Sequence, residues 1–141
     1  TYNEYWQLID AGYKPEDLVV FNYTAMGVDL LEDGLYAMED KLADPAFKEK
    51  MVKFVRASMK GWDYAVKNPD EAAGIVVENG GQDENHQKRM MGEVAKLIDN
   101  ADGKLIEAAY KRTADALLAQ KIITKEPTGA WTAAITDEAI K

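Results

Sequence analysis

Residues 44–73 read DPAFKEKMVKFVRASMKGWDYAVKNPDEAA, the longest unbroken period in the chain. Phe47, Met51, Phe54, Val55, Met59, Trp62 and Val66 recur at steps of three and four. Glu49, Lys53, Arg56, Lys60, Asp63 and Lys67 recur the same way on the opposite side. The pattern predicts one long amphipathic helix over Pro45–Lys67, the first set packed and the second in water. Asp44 can accept hydrogen bonds from the free amides of the first turn, and Pro45 sits where its missing N–H costs nothing. Asn68-Pro69 ends the helix, because proline disfavours a helical residue before it. Asn68 is then expected to cap a second helix, with Glu71 reaching back in a capping box.

Working outward toward the amino terminus, Leu18 to Tyr23, LVVFNY, is six residues of β-branched and aromatic character, the composition of a short buried strand. Gly34 to Met38 suits a second short strand and Ile122 to Pro127 an extended segment. Tyr2, Tyr5, Trp6 and Ile9 have helical spacing before Gly12, a helix that begins so abruptly that something upstream is expected to be missing. Toward the carboxy terminus, Gly80-Gly81 closes the second helix. Asp83 opens a third, striped by Met90, Met91, Val94, Leu97 and Ile98 and expected to end near Asn100. Ile106, Ala109, Tyr110, Thr113 and Leu117 form a fourth stripe running to about Gln120, and Thr136-Asp137 is expected to cap a last turn. Two short strands among four or five helices cannot complete a sheet. The fold is therefore either mainly helical or part of a larger one.

With 141 residues, 47% of them hydrophobic, the chain is expected to form one globular unit. A net charge of −8 without clustered Lys and Arg argues against nucleic acid as a partner. There is no cysteine, so thiolate chemistry and disulfides are excluded. No run approaches the length of a membrane span, and neither a span nor an export leader is expected within these residues. His86 is the only histidine and sits in the polar run DENHQKR, where a solvated surface residue is the expectation. Asp29, Glu32, Asp33, Glu39 and Asp40 lack the spacing of a calcium loop, and Gly80-Gly81 lacks the context of a phosphate cradle. No catalytic set, cofactor or metal is expected, and the reading is of a protein that is not an enzyme. The aromatic cluster Tyr2, Tyr5 and Trp6 around Asn3 and Glu4 is the exception. It offers stacking surface with polar groups that can fix a small ligand, and equally suits a packed helix face.

The pieces YNEYW, LEDGLYAMEDKL, AFKEKMVKFVRASMKGWDYAVKNPDEAA, RTADALL and ITKEPTGAW together resemble the carboxy-terminal half of ABC-transporter solute-binding proteins of the family for thiamine pyrimidine precursors, nitrate, sulfonates and taurine. Phe54, Ala57, Gly61, Trp62, Ala65, Asn68, Pro69, Glu71 and Ala72 match that family's helix pair. The resemblance implies an α/β, predominantly helical fragment of a two-lobed periplasmic-binding-protein-like (type II) fold. Residues 1–17 would leave the second lobe through the hinge, and residues 18–141 would supply returning first-lobe strands and flanking helices. It implies a small-molecule ligand in an interlobe cleft, a membrane permease as partner, and a location in the periplasm or anchored at the cell surface. At the mouth of that cleft Tyr2 would stack, Asn3 would hydrogen-bond, Glu4 would accept from an amine or amidine, and Thr1 would stand beside them. A carboxylate there suits a pyrimidine amine better than a nitrate or sulfonate anion. With half the cleft absent, the chain alone is expected to bind weakly, and unpaired edges at Leu18 to Tyr23 are expected to drive a homodimer or swapped assembly. The rival readings are a free-standing helical protein-interaction module and, with less in its favour, a small enzyme using His86.

Overall fold

The computed structural model describes residues 2–98 and 101–141. Its helices are α1 (Glu4–Asp10), α2 (Glu39–Leu42), α3 (Pro45–Lys67), α4 (Pro69–Gly80), α5 (Glu84–Ile98), α6 (Glu107–Ala119) and α7 (Ala134–Ala139), with a 3-10 turn at Pro15–Asp17. Two compact units result, Thr1–Val20 with Ala57–Asp102, and Phe21–Arg56 with Gly103–Lys141. The buried apolar residues among those described are small: Val52, Ala65, Ala73, Ala109, Ala114 and Ala139. Each removes little apolar area from water, so helix contacts here rest on close backbone approach more than on large buried side chains.

The long helix has its expected bounds. Asp44 Oδ1 accepts from the Ala46 amide at 3.0 Å and the Asp44 carbonyl from the Lys48 amide at 2.9 Å, which satisfies two of the donors left free at a helix start. Its packed face differs from the expectation. Val52 is buried, whereas Phe54 and Trp62 are 51% and 49% exposed. Arg56, expected in water, instead donates from Nε to the Ala139 carbonyl at 2.8 Å and from Nη2 to the Glu138 carbonyl at 2.9 Å. Those carbonyls belong to the last turn of α7, which has no helical partners for them, and a cation there also opposes the negative end of the helix.

Asn68 does not cap α4. Its Nδ2 donates back to the Tyr64 carbonyl at 3.0 Å, beside its own backbone N–H on the same oxygen at 2.8 Å. The unpaired carbonyls ending a 23-residue helix recruit that amide first. Glu71 accepts from the Tyr64 hydroxyl instead, an interaction that pushes the phenol above its ordinary pKa. In the same unit α4 closes at Gly81, in the left-handed region at φ 65°, with its N–H on the Val77 carbonyl at 2.9 Å. It packs against α5, with Ala73 buried to 2% exposure. The expected end of α5 near Asn100 lies outside the described residues.

The strands expected at Leu18–Tyr23 and Gly34–Met38 do not form, and no strand occurs among the described residues. Val19 is 82% and Phe21 68% exposed, Tyr36 87%. β-rich composition fits a pleated surface only when a neighbouring backbone takes up its N–H and C=O groups, and the chain folds no such neighbour alongside. Ile122 to Pro127 runs through bends. Thr136-Asp137 lies inside α7; the helix starts earlier, where the Ala134 amide donates to Thr132 Oγ1 at 3.2 Å. Within the second unit polar contacts hold the irregular segment on α6: Arg112 Nη2 meets Asp29 Oδ2 at 3.0 Å, and the Leu31 amide donates to Thr113 Oγ1 at 2.9 Å.

Candidate polar binding site

In the first unit, Asp83 sets the geometry. Its Oδ1 accepts from the His86 amide at 2.9 Å and its carbonyl from the Gln87 amide at 3.0 Å, fixing the first turn of α5. Positions 86 and 87 then turn inward, and both side chains are buried although their neighbours are charged. Gln87 Nε2 donates to Gln82 Oε1. His86 Nε2 lies 2.9 Å from Asn3 Oδ1, an oxygen that also accepts from Gln7 Nε2 at 3.1 Å. An amide oxygen only accepts, so Nε2 carries the hydrogen in this contact.

The other ring nitrogen, Nδ1, is buried without a hydrogen-bond partner among the described residues, and faces Asp10 Oδ2 across 3.6 Å, beyond hydrogen-bonding distance. Asp10 is the last residue of α1. Its other oxygen accepts from Arg89 Nη1 at 2.8 Å, and this bond holds the carboxyl below its ordinary pKa against a smaller opposing effect of desolvation. Arg89 also lies over the Trp6 ring, 4.9 Å from its centroid, while Tyr5 meets Trp6 edge-on at 5.1 Å. Gln7, Asp10, Gln82, Asp83, Asn85, His86 and Arg89 together line an open depression of about 850 Å³. No cluster suited to a metal ion occurs among the described residues.

Of the residues expected at a ligand mouth, Asn3 is at this site, where its oxygen orients the imidazole. Tyr2 is half-buried, and Glu4 is exposed at the start of α1. Thr1 lies outside the described residues. The solvated histidine expected at position 86 is corrected: Asn3 and Asp10, more than seventy positions away in the sequence, cover it. His86, Asp10, Arg89 and Gln7 were not singled out as ligand groups, and the one available signal was that a lone histidine followed Asp83 at the third position of a capped turn.

The features in hand define a largely helical protein with a polar depression in its first unit. The family described as NMT1/THI5 like matches residues 1–72, from the Asn3 region through α3 to the start of α4. The chain belongs to that family. Neither a curated protein nor a solved structure matches it. No helix among the described residues is long and apolar enough to cross a membrane.

Proposed function

We propose that the chain acts as the carboxy-terminal half of a solute-binding component of an ABC uptake transporter, binding a small polar nutrient and handing it to a membrane permease. The observation that carries this reading is the family match, because NMT1/THI5-like proteins are typically solute-binding components of such transporters. Two structural features support it. The open depression beside Asn3 has the volume of a small-molecule site and polar groups that can meet a polar solute. In the second unit the bare apolar residues Phe21, Tyr23, Leu35 and Tyr36 suit a surface that further strands cover. In this reading the protein is not an enzyme, has no nucleic-acid partner, and works in the periplasm or anchored at the cell surface.

Among solutes, a thiamine-pyrimidine-like amine is favoured over taurine, sulfonates or nitrate, because Glu4 presents an exposed carboxylate at the entrance of α1. The direct test is Tyr2→Ala and Asn3→Ala in the two-lobed protein, with affinity and melting measured together. Loss of affinity by roughly 1 to 3 kcal/mol at unchanged melting supports ligand contact by Tyr2, and by Asn3 either contact or positioning of the site through His86. Lower melting at unchanged affinity assigns both residues to packing instead. The exposed apolar run favours one alternative, a helical interaction module that docks another protein. A reading frame about twice as long, opening with a signal peptide, supports transport; one confined to these residues supports the module.

A further inference from the structure

α1 covers His86 while burying nothing of its own: none of its seven residues is buried. It is held to α5 by side chains, Asn3 Oδ1 on His86 Nε2 at 2.9 Å, Asp10 Oδ1 on Arg89 Nη1 at 2.8 Å, and the Trp6 ring 4.9 Å from the Arg89 guanidinium. The cover also carries a cost. His86 Nδ1 is buried without a hydrogen-bond partner among the described residues, 3.6 Å from Asp10 Oδ2. As a lone pair it opposes the carboxylate, and as an N–H it falls short of bonding distance. In either form the covered ring is left unsatisfied, and exposure to water would satisfy it. We propose that α1 is a strap that swings off α5 about Gly12 while α4 and α5 stay packed, so that His86 alternates between a covered and a solvated state.

The two sides of this hinge differ in what holds them. α4 packs on α5 with Ala73 buried to 2% exposure, a contact given up only when the unit unfolds. α1 has no such face, and a seven-residue helix is not stable in water by itself, so leaving α5 also melts it. Gly12 follows α1 at φ 98°, a left-handed backbone that glycine adopts freely, and a Cβ there would meet nothing within 4 Å, which leaves the chain room to turn. Gln7 and Asp10 form the α1 side of the depression and the start of α5 forms the other, so the depression exists only with the strap closed. The strap goes beyond the solute-binding reading and stands whether or not a solute fills that space.

His86 is the only histidine, so treating the whole chain with diethyl pyrocarbonate and weighing the peptide that carries it reports this ring alone. Attack needs a free ring nitrogen; Nε2 is bonded to Asn3 and Nδ1 has no open surface, so only the open state reacts. The expected rate is about ten- to a thousandfold below that of a free peptide of residues 83–89, and flat in urea well below the unfolding midpoint, because the opening exposes little surface. Amides of α1 should exchange with deuterium through the same opening, at least about tenfold faster than those of α4. Arg89→Met should raise the His86 rate about five- to thirtyfold, the joint scale of a partly exposed charged hydrogen bond and a surface cation–π contact. Lys88→Met on the same turn, whose partner is Glu84, should leave it unchanged. A wild-type rate equal to the free peptide's shows that nothing covers the ring. A rate with the urea slope of global unfolding, or α1 amides as slow as those of α4, shows that α1 leaves only with the whole unit. Each of these overturns the strap, as does an unchanged rate in folded Arg89→Met, and the wild-type measurements decide the matter if that variant fails to fold.

Discussion

Replacing Arg56 with methionine keeps the aliphatic stem and removes the guanidinium that ties α3 to the end of α7. Two hydrogen bonds are lost, Nε to the Ala139 carbonyl at 2.8 Å and Nη2 to the Glu138 carbonyl at 2.9 Å. The first is partly buried, and a hydrogen bond from a charged donor is worth about 1.5 to 3 kcal/mol. The second is solvent-exposed and adds roughly 0.5 kcal/mol after screening. The expected destabilisation is therefore about 2 to 3.5 kcal/mol. Urea unfolding followed by circular dichroism should show a lower midpoint at unchanged slope, and melting should fall by roughly 7 to 12 °C for a chain of this length. Arg56→Lys, which keeps the charge without the planar fork, should recover only a minor part. A change below about 0.5 kcal/mol, the usual range for an exposed side chain, would refute the inward placement of Arg56 and restore the solvent face that the periodicity suggested.

Asn68→Asp removes the amide donor to Tyr64 while keeping a good capping residue, so it should cost about 0.5 to 1 kcal/mol in thermal unfolding; a neutral result would favour the capping-box reading. Ala73→Leu should overpack α4 and cost roughly 1 to 3 kcal/mol by urea titration, and a neutral result would contradict the burial of position 73. Arg89 depresses the folded-state pKa of Asp10, so the pair's contribution is present above the unfolded carboxylate range and is lost as pH falls through the lowered folded value. Acid unfolding should accordingly begin at higher pH in Asp10→Asn and Arg89→Ala than in the wild type, and identical acid profiles would show that the pair contributes nothing.

Helix ends were legible where the information is local. Asp44-Pro45, Asn68-Pro69, Gly81 and Asp83 act through their own backbone geometry or through amides within one turn, and the boundaries of α3, α4 and the start of α5 follow from them. The facing of those helices was not legible: the periodicity put the apolar stripe of α3 inward and Arg56 in water, and neither the exposure of Phe54 and Trp62 nor the bare carbonyls of α7 that Arg56 meets are encoded within the helix itself. Leu18 to Tyr23 failed for a related reason: strand formation depends on a partner backbone that the segment cannot supply. At the site, Asn3 could be named from the aromatic and polar cluster around it. His86 could not be assigned its role, since its burial depends on α1 covering a turn whose neighbours Glu84, Asn85 and Lys88 all read as solvated.

The central claim is solute binding, and the most direct measurement is thermal shift of the intact two-lobed protein against thiamine, aminopyrimidines, taurine, nitrate and aliphatic sulfonates. A ligand at a hundred times its Kd stabilises the folded state by about 2.7 kcal/mol, which is roughly 9 °C of melting temperature for a unit of 141 residues and less for a longer chain. The account predicts a saturable shift with an aminopyrimidine and none with nitrate. A shift with nitrate or a sulfonate alone would contradict the role of Glu4, and no shift with any of these solutes would contradict the transport reading.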